Sequence, residues 1–279
     1  MKKQQLTILI PNYNGAKFIL NTINSILDGF EEVLIVVVDD LSTDNSIEVI
    51  KNIDHNNIKL IERSRNGGFA SSVNSGIKFC IENRLEFLLI ANSDIVLSEK
   101  NCYEINEQFV KFENPEIAVL GFLEDGIDIK RENEDISGFF FALRLNIIKS
   151  IGYLDETFYM YGEEQDFFRR VIGNGYKIVQ TGIKIKHLSE KSSSSNIRNS
   201  WLSIRNSIYL ETKQSSIIPV LKKIIVLFLI INKIYKPKVK DDPSLERIYR
   251  PGVLKGNMFI LKAILWNIAK KIGVIKNGK

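Results

Sequence analysis

Four short strand-like runs at the start of the chain, three of them largely apolar and each followed by a helical pattern, leave few folds open. The apolar runs are Leu6–Ile10, Val33–Val38 and Phe87–Ala91, with Ile58–Glu62, which carries Lys59 and Glu62, as a further short strand between the last two. Such lengths, without sustained polar alternation, suit strands covered on both faces. Between the first two, Phe18, Ile19, Ile23, Ile26 and Leu27 recur at helical spacing. Between the next two, Ser42-Thr43-Asp44 offers N-cap side chains to a helix through Ile53. Asn66-Gly67-Gly68 opens a third helix through Glu82, with Ala70, Val73, Ile77 and Cys80 on one face. A β-α-β-α-β-α-β series builds a parallel sheet with right-handed crossovers. Ligands of such sheets bind beyond the carboxyl ends of the strands. That directs attention to Asp39-Asp40 after the second run and Asn92-Ser93-Asp94 after the fourth.

The rest of the chain reads as a helix over Asn101–Glu113, a strand over Ile117–Phe122, and a polar hairpin or surface loop over Glu124–Asp135. A buried strand at Gly138–Ala142, a short helix at Leu145–Ile151 and an aromatic-rich loop at Tyr153–Tyr161 follow. A helix over Gly162–Asn174 opens with three acids, and a strand over Lys177–Lys186 ends at His187. Beyond it stands a four-serine run, Ser192–Ser195.

Charge then divides the chain. Residues 212–279 hold 15 Lys and Arg against 3 Asp and Glu, net +12, while the remainder holds 23 against 30, net −7. A basic tail on an acidic body favours anionic surfaces, nucleic acid or the cytoplasmic leaflet. In the tail, Leu254, Met258, Leu261, Leu265, Ile268 and Ile272 alternate at spacings of four and three, with Lys255, Lys262, Lys270 and Lys271 off the stripe. This is the pattern of a basic amphipathic helix, suited to a lipid surface or to packing as a lid or dimer contact. The apolar run Ile224–Ile231 is far below the roughly 20 residues of a spanning helix. Aliphatic residues rather than interleaved aromatics argue against nucleic acid as the partner. Cys80 and Cys102 form neither a metal motif nor a disulfide framework, which points to a reducing compartment. The apolar stretch Leu6–Ile10 is too short for a signal-peptide core and reads as a first strand.

Each polar constellation has two readings. Asp39-Asp40 can accept the N3–H of a uracil or thymine, or cap a helix end. Asn66-Gly67-Gly68 lets a backbone approach an anion at a helix N-terminus, or makes a tight turn. Asp94 can hold a hard divalent cation, with Asn92 bonding a sugar or ribose, or it is a loop acid. Glu163, Glu164 and Asp166 complement the helix dipole, and Asp166 can pair with Arg169 or Arg170. Helical geometry puts Glu163 and Asp166 on one face and turns Glu164 about 100° away, so one acid can face a cleft as a general base. His187 is a surface or core histidine, or a ligand. His55 reads as a surface residue.

Taken in order, Leu9-Ile10-Pro11-Asn12-Tyr13-Asn14-Gly15, Val38-Asp39-Asp40-Leu41-Ser42-Thr43-Asp44, Asn66-Gly67-Gly68-Phe69-Ala70, Ala91-Asn92-Ser93-Asp94, Gly138-Phe139-Phe140-Phe141, Gly152-Tyr153-Leu154-Asp155-Glu156-Thr157-Phe158, Tyr161-Gly162-Glu163-Glu164-Gln165-Asp166-Phe167 and His187 resemble the family 2 glycosyltransferases. The style is that of their rhamnosyltransferase-like bacterial branch, in which Trp201-Leu202-Ser203-Ile204-Arg205-Asn206 also recurs. The resemblance implies the GT-A fold, a Rossmann-like mixed but mainly parallel sheet flanked by helices, over residues 1–211, with 212–279 as a helical basic extension. It implies that Pro11, Tyr13 and Asp40 surround the nucleotide base and ribose, with Asp39 supporting Asp40 and Gly67 close to the donor. Asp94 matches the last acid of the family's DxD motif and His187 its distal histidine, which makes them ligands of Mn²⁺ or Mg²⁺. Asn92 stands where the first DxD acid does. Glu164 matches the second acid of the family's Glu-Asp pair and is the implied catalytic base, with Glu163 as runner-up. Leu41 stands where Gly is frequent.

The implied activity is inverting transfer of a sugar from a UDP- or dTDP-sugar, dTDP-rhamnose among them, to a hydroxyl of a surface-polysaccharide or lipid-linked glycan acceptor. The implied place is the cytoplasm, at the inner face of the cell membrane, reached through residues 212–279. A non-catalytic nucleotide-sugar-binding scaffold is the competing expectation.

Overall fold

The computed structural model describes residues 6–126, 136–188, 197–213, 216–234, 248 and 252–272. The serine run and most of the Glu124–Asp135 stretch lie outside them. The elements begin as the sequence implies: β1 (Leu6–Asn12), α1 (Ile19–Gly29), β2 (Val33–Asp39), α2 (Ser46–Lys51), β3 (Ile58–Glu62), α3 (Gly68–Glu82) and β4 (Phe87–Ala91). A two-residue strand β5 (Ile95–Val96) follows, then α4 (Glu99–Phe109), β6 (Ile117–Glu124), β7 (Phe140–Arg144), α5 (Ile148–Ile151), α6 (Glu163–Gly173) and β8 (Lys177–His187). Three helices close the described chain: α7 (Ile197–Thr212), α8 (Ile217–Ile231) and α9 (Gly252–Lys271).

The strands form one sheet of order β3-β2-β1-β4-β7-β6-β8-β5. β3, β2, β1 and β4 are parallel, β7 runs antiparallel to β4 and β6, and β8 is parallel to β6. This is the mixed, mainly parallel sheet that the sequence implies. Both faces are covered, which explains the unbroken apolar runs. One face carries Ile8, Ile10, Val37 and Leu89 with Ile19, Ile23 and Ile26 of α1. The other carries Leu9, Val36, Val38 and Ile90 with Val73 and Ile77 of α3 and Phe167 and Phe168 of α6. A Cβ on Gly76 would lie 2.2 Å from Leu9 Cδ1, so α3 sits on the sheet at glycine distance. The helix expected from Asn101 starts two residues earlier. Ser98 and Asn101 form a capping box, and the last turn, Val110–Glu113, tightens to a 3-10 helix. Cys80 and Cys102 are buried free thiols, pushed up to about 12 and about 11 by burial.

Two compact units divide the chain. One comprises residues 1–155 and 164–188, and contains the sheet; the other comprises 156–163 and 189–279, and contains α7, α8 and α9. The 211/212 boundary expected from sequence falls at the end of α7, inside the helical unit. Within that unit Ile204 and Ile208 of α7 pack with Val220, Leu227, Ile230 and Ile231 of α8 and Ile260 and Ala263 of α9. Gly256 of α9 meets Ile231, and the amides of Asn232 and Asn257 exchange hydrogen bonds at 3.1 and 3.2 Å. The inner stripe of α9 is Gly256, Ile260, Ala263 and Asn267. Its larger apolar stripe points outward, with Leu254 86%, Leu261 58%, Leu265 58% and Ile272 69% exposed.

Candidate functional site

The site elements lie at the carboxyl ends of β1, β2, β4, β6 and β8. At the end of β2 the two acids do different work. Asp39 is fully buried, and its carboxylate accepts hydrogen bonds from Asn12 Nδ2 at 2.8 Å, the Ser42 N–H at 2.8 Å and Ser42 Oγ at 2.7 Å. Wrapping the chain around that carboxylate puts Leu41 at φ 64°, a conformation costly for a branched side chain. Ser42 is thus spent on the turn around Asp39, while Asp44 accepts from the N–H of Ser46, the first residue of α2, at 3.0 Å. Ser42 Oγ also accepts from the Asn14 N–H, and Asp44 accepts from the Ala16 N–H at 3.0 Å, knitting the two loops together. Asp44 ionises below the ordinary carboxylate range: burial opposes this, but the hydrogen bonds from Ser46 and Ala16 outweigh it.

Asp40 is 3% exposed and is taken up by the protein itself. Arg63 pairs with it, and the Gly67 and Gly68 N–H groups donate to its carboxylate at 3.0 and 2.7 Å. Gly68 has φ 80°, and a Cβ on Gly67 would come within 2.7 Å of Ser71, so this loop needs both glycines. Asp40 thus anchors the start of α3. Arg63 was not singled out from sequence. The signal was the register: Asp39 faces Glu62 in the parallel β2–β3 pair, which sets Arg63 beside Asp40. Pro11 and Tyr13 lie at the end of β1, Tyr13 half exposed.

The turn after β4 is held from three directions. The Asn92 N–H donates to the Phe139 carbonyl at 2.8 Å, the Leu188 N–H donates to the Asp94 carbonyl at 2.7 Å, and the buried Thr22 hydroxyl lies 2.9 Å from the Ser93 carbonyl and 2.8 Å from that of Ile95. With its backbone fixed, the turn presents two side chains to His187. Asp94 Oδ1 lies 2.9 Å and Asn92 Nδ2 3.5 Å from Nε2 of the ring. Across the ring, Nδ1 lies 2.9 Å from Glu124 Oε1, and Phe139 stacks on it at 5.2 Å. Burial alone would lower the basicity of this imidazole, but Asp94 and Glu124 outweigh it and push its pKa up to about 9. Glu124 was read from sequence as the edge of a polar loop. It is instead the last residue of β6, brought beside the end of β8 by a bulge in which Thr181, Gly182 and Ile183 interrupt the ladder.

No group of three or more His, Cys, Asp and Glu side chains among the described residues is arranged to hold a metal. Asp94, just before β5, and His187, at the end of the neighbouring β8, offer one carboxylate oxygen and one ring nitrogen, with Glu124 orienting the ring from behind. That donor set fits a divalent cation that completes its shell with substrate phosphate and water.

Glu164, on the first turn of α6, is half-buried, with Gly138 against its side chain: a Cβ there would lie 2.9 Å from Glu164 Cγ. Glu163 and Asp166 are 3% and 4% exposed. Asp166 accepts from Arg170 Nε at 3.0 Å, and Arg170 also donates to the Ile151 and Tyr153 carbonyls, so Asp166 is structural.

Comparison with known proteins identifies the family and the fold. The family model described as "Glycosyl transferase family 2" matches residues 7–169. The poly-beta-1,6-N-acetyl-D-glucosamine synthase of Staphylococcus epidermidis is 23% identical over 175 residues, 54% of this chain and 42% of that protein. The glycosyltransferase GlyG of Streptococcus pneumoniae is 27% identical over 117 residues, 41% of this chain and 38% of that protein. The matches thus span less than half the length of these relatives. Among solved structures, the mannosyltransferase PcManGT of Pyrobaculum calidifontis, in complex with GDP-Man and Mn²⁺, superposes with a TM-score of 0.64 at 12% identity, covering 97% of this chain and 89% of that one. The shared fold is the GT-A fold.

Proposed function

The chain belongs to glycosyl transferase family 2, and on that premise we propose that it transfers a sugar from a UDP- or dTDP-sugar, dTDP-rhamnose among them, to a hydroxyl of a surface-polysaccharide or lipid-linked glycan. The observation that carries this reading is the Asp94–His187 pair at 2.9 Å, with Asn92 beside it, at the end of β4. Asp94 and His187 would hold Mn²⁺ or Mg²⁺, and the ion would supply positive charge that stabilises the departing diphosphate. The Mn²⁺ in the complex of PcManGT supports the choice of metal. Asn92 would hydrogen-bond the donor, and Pro11 and Tyr13 would flank the base. Asp39 and Asp40 would act by fixing the loops around the nucleotide, Asp40 by holding Gly67 at the donor.

Glu164 would take the proton of the acceptor hydroxyl, whose oxygen attacks the anomeric carbon from the side opposite the leaving group, inverting it. Glu163, buried, is the second candidate for that role. General-base catalysis contributes on the order of 10²–10⁴ in rate. Residues 1–211 would form the transferase and 212–279 its extension.

The extension supports a place at the inner face of the cell membrane. No helix among the described residues is long and apolar enough to cross a membrane. Yet α9 turns Leu254, Met258, Leu261, Leu265 and Ile268 outward beside Lys255, Lys262 and Lys271. Apolar residues at the acyl boundary with lysines at anionic headgroups is the interfacial arrangement. Flotation with anionic liposomes should be lost on joint substitution of Leu254, Leu261 and Leu265 by Ser. Undiminished flotation, or a change in dimer content instead, would move the stripe to another partner.

The activity itself is tested by offering UDP-, dTDP- and GDP-sugars with Mn²⁺ or Mg²⁺ and following nucleoside diphosphate release. Donor binding without release, with acceptor glycans present, would make the chain a scaffold.

A further inference from the structure

We infer that Arg205 and Asn206 of α7 are positioning residues for transfer: they hold loop 157–162 in the conformation that presents the acidic start of α6. The inference rests on reading Glu164 as the base.

Asn206 is 2% exposed, and its Nδ2 donates towards three carbonyls, those of Phe158 at 3.0 Å, Met160 at 2.8 Å and Tyr161 at 2.7 Å. Its Oδ1 accepts from Arg205 Nε at 2.8 Å. Arg205, 8% exposed, donates through Nη2 to the Thr157 and Phe158 carbonyls at 3.1 and 2.7 Å. Four carbonyls of five consecutive residues thus converge on two adjacent side chains. A backbone reaches that arrangement only with unusual torsions, and Tyr159, Tyr161 and Gly162 have φ of 66°, 73° and 96°. Tyrosines do not stay left-handed unless their surroundings hold them there.

The grip is itself braced by α9. The Arg205 guanidinium lies 4.6 Å from the centre of the Trp266 ring. Tyr209 meets Trp266 edge-on at 5.5 Å and packs on the fully buried Phe158 at 4.9 Å. Residues 156–163 belong to the helical unit, while Glu164 belongs to the sheet unit. The chain passes from one to the other at the Glu163–Glu164 peptide bond, and α6 begins at Glu163, directly after the held loop. A buried arginine bound to carbonyls and a ring, with no carboxylate partner among the described residues, is a costly way to hold a loop. A loop whose conformation did not matter could be held by apolar packing.

The test compares full-length Asn206→Ala, Arg205→Lys and Glu164→Gln with the parent. Binding of UDP with Mn²⁺ is measured by calorimetry, and kcat, its pH profile and acceptor KM are measured with the nucleotide sugar that the donor panel finds active. Asn206→Ala is expected to leave UDP–Mn²⁺ binding within twofold, lower kcat 10- to 100-fold and shift the acid limb of the kcat profile. Arg205→Lys, which keeps a cation but replaces the planar fork by a single donor nitrogen, is expected to lose about 3- to 10-fold, and it decides the matter if Asn206→Ala does not fold. Folded variants with parental kcat and pH profile but lowered Tm would overturn the proposal, leaving a purely structural role. Glu164→Gln separates the two readings. Full transfer in that variant removes the base; loss there, with parental kcat in both α7 variants, removes only the positioning.

Discussion

Glu124 Oε1 and His187 Nδ1 stand 2.9 Å apart, on the side of the ring opposite Asp94. A carboxylate behind a ligating imidazole fixes the ring's orientation and raises its basicity. Replacing Glu124 by Ala is therefore expected to weaken Mn²⁺ binding in the presence of UDP about 10- to 100-fold. Calorimetric titration reads this directly. Unchanged Mn²⁺ affinity in a folded Glu124→Ala protein would falsify the assignment.

The same ring sets a pH dependence. In the metal-free protein its pKa is raised to about 9 from 6.5. A raised folded-state pKa contributes stability that is fully present below pH 6.5 and is lost as pH rises through about 9. The metal-free parent should therefore lose Tm over that window relative to His187→Gln, in which the difference disappears. Ligation through Nε2 requires the neutral ring, so Mn²⁺ binding near pH 7.5 should release about one proton. Calorimetry in two buffers of different ionisation enthalpy counts it. Release of no proton would separate His187 from the metal.

Gly138 leaves room for Glu164. A methyl group there would press on Glu164 Cγ at 2.9 Å, Cβ at 3.1 Å and Cδ at 3.2 Å, so Gly138→Ala must move that side chain. Misplacing a reacting group by about 1 Å can cost on the order of 10² in rate. We expect kcat to fall towards that size with UDP–Mn²⁺ binding intact. Normal kcat in Gly138→Ala would argue that the position of Glu164 is immaterial.

Leu41 holds φ 64° in the turn around Asp39, with its side chain about half exposed. A left-handed L-residue costs roughly 1–2 kcal/mol, and Gly gives back part of that through the entropy of its unfolded chain. Leu41→Gly is therefore expected to stabilise the protein by about 0.5–1 kcal/mol, a rise of about 2–4 °C in Tm at most. Leu41→Ala, which keeps the strain, should not share the gain. Equal Tm values for the two variants would show that the torsion is not strained.

Much of the sheet was legible because its signal is local: β1, β2 and β4 are largely apolar runs, each closed by a polar turn. Asp94 and His187 were visible as polar residues at strand ends. Glu124 was not, because what makes it a partner of His187 is a bulge in β8 that shifts the ladder between Gly121 and Leu123. No periodicity in the sequence announces a bulge of that kind. Arg63 was hidden for a simpler reason: it is one residue past a short strand, and only the pairing of β2 with β3 gives it meaning. The tail shows the opposite limit. Its most regular apolar stripe is the one α9 leaves outside, while the packed stripe contains Gly256, Ala263 and Asn267, which a hydropathy pattern passes over.

The chain crosses between its two units three times, after Asp155, after Glu163 and after Leu188. Such a protein is not a cassette with a detachable tail. Recombination at one junction near Leu188 would pair a foreign set of helices with a 156–163 segment fitted to the old one. Arg205, Asn206 and the aromatic residues of that segment must therefore be exchanged together, and chimaeras between relatives should keep them from one parent.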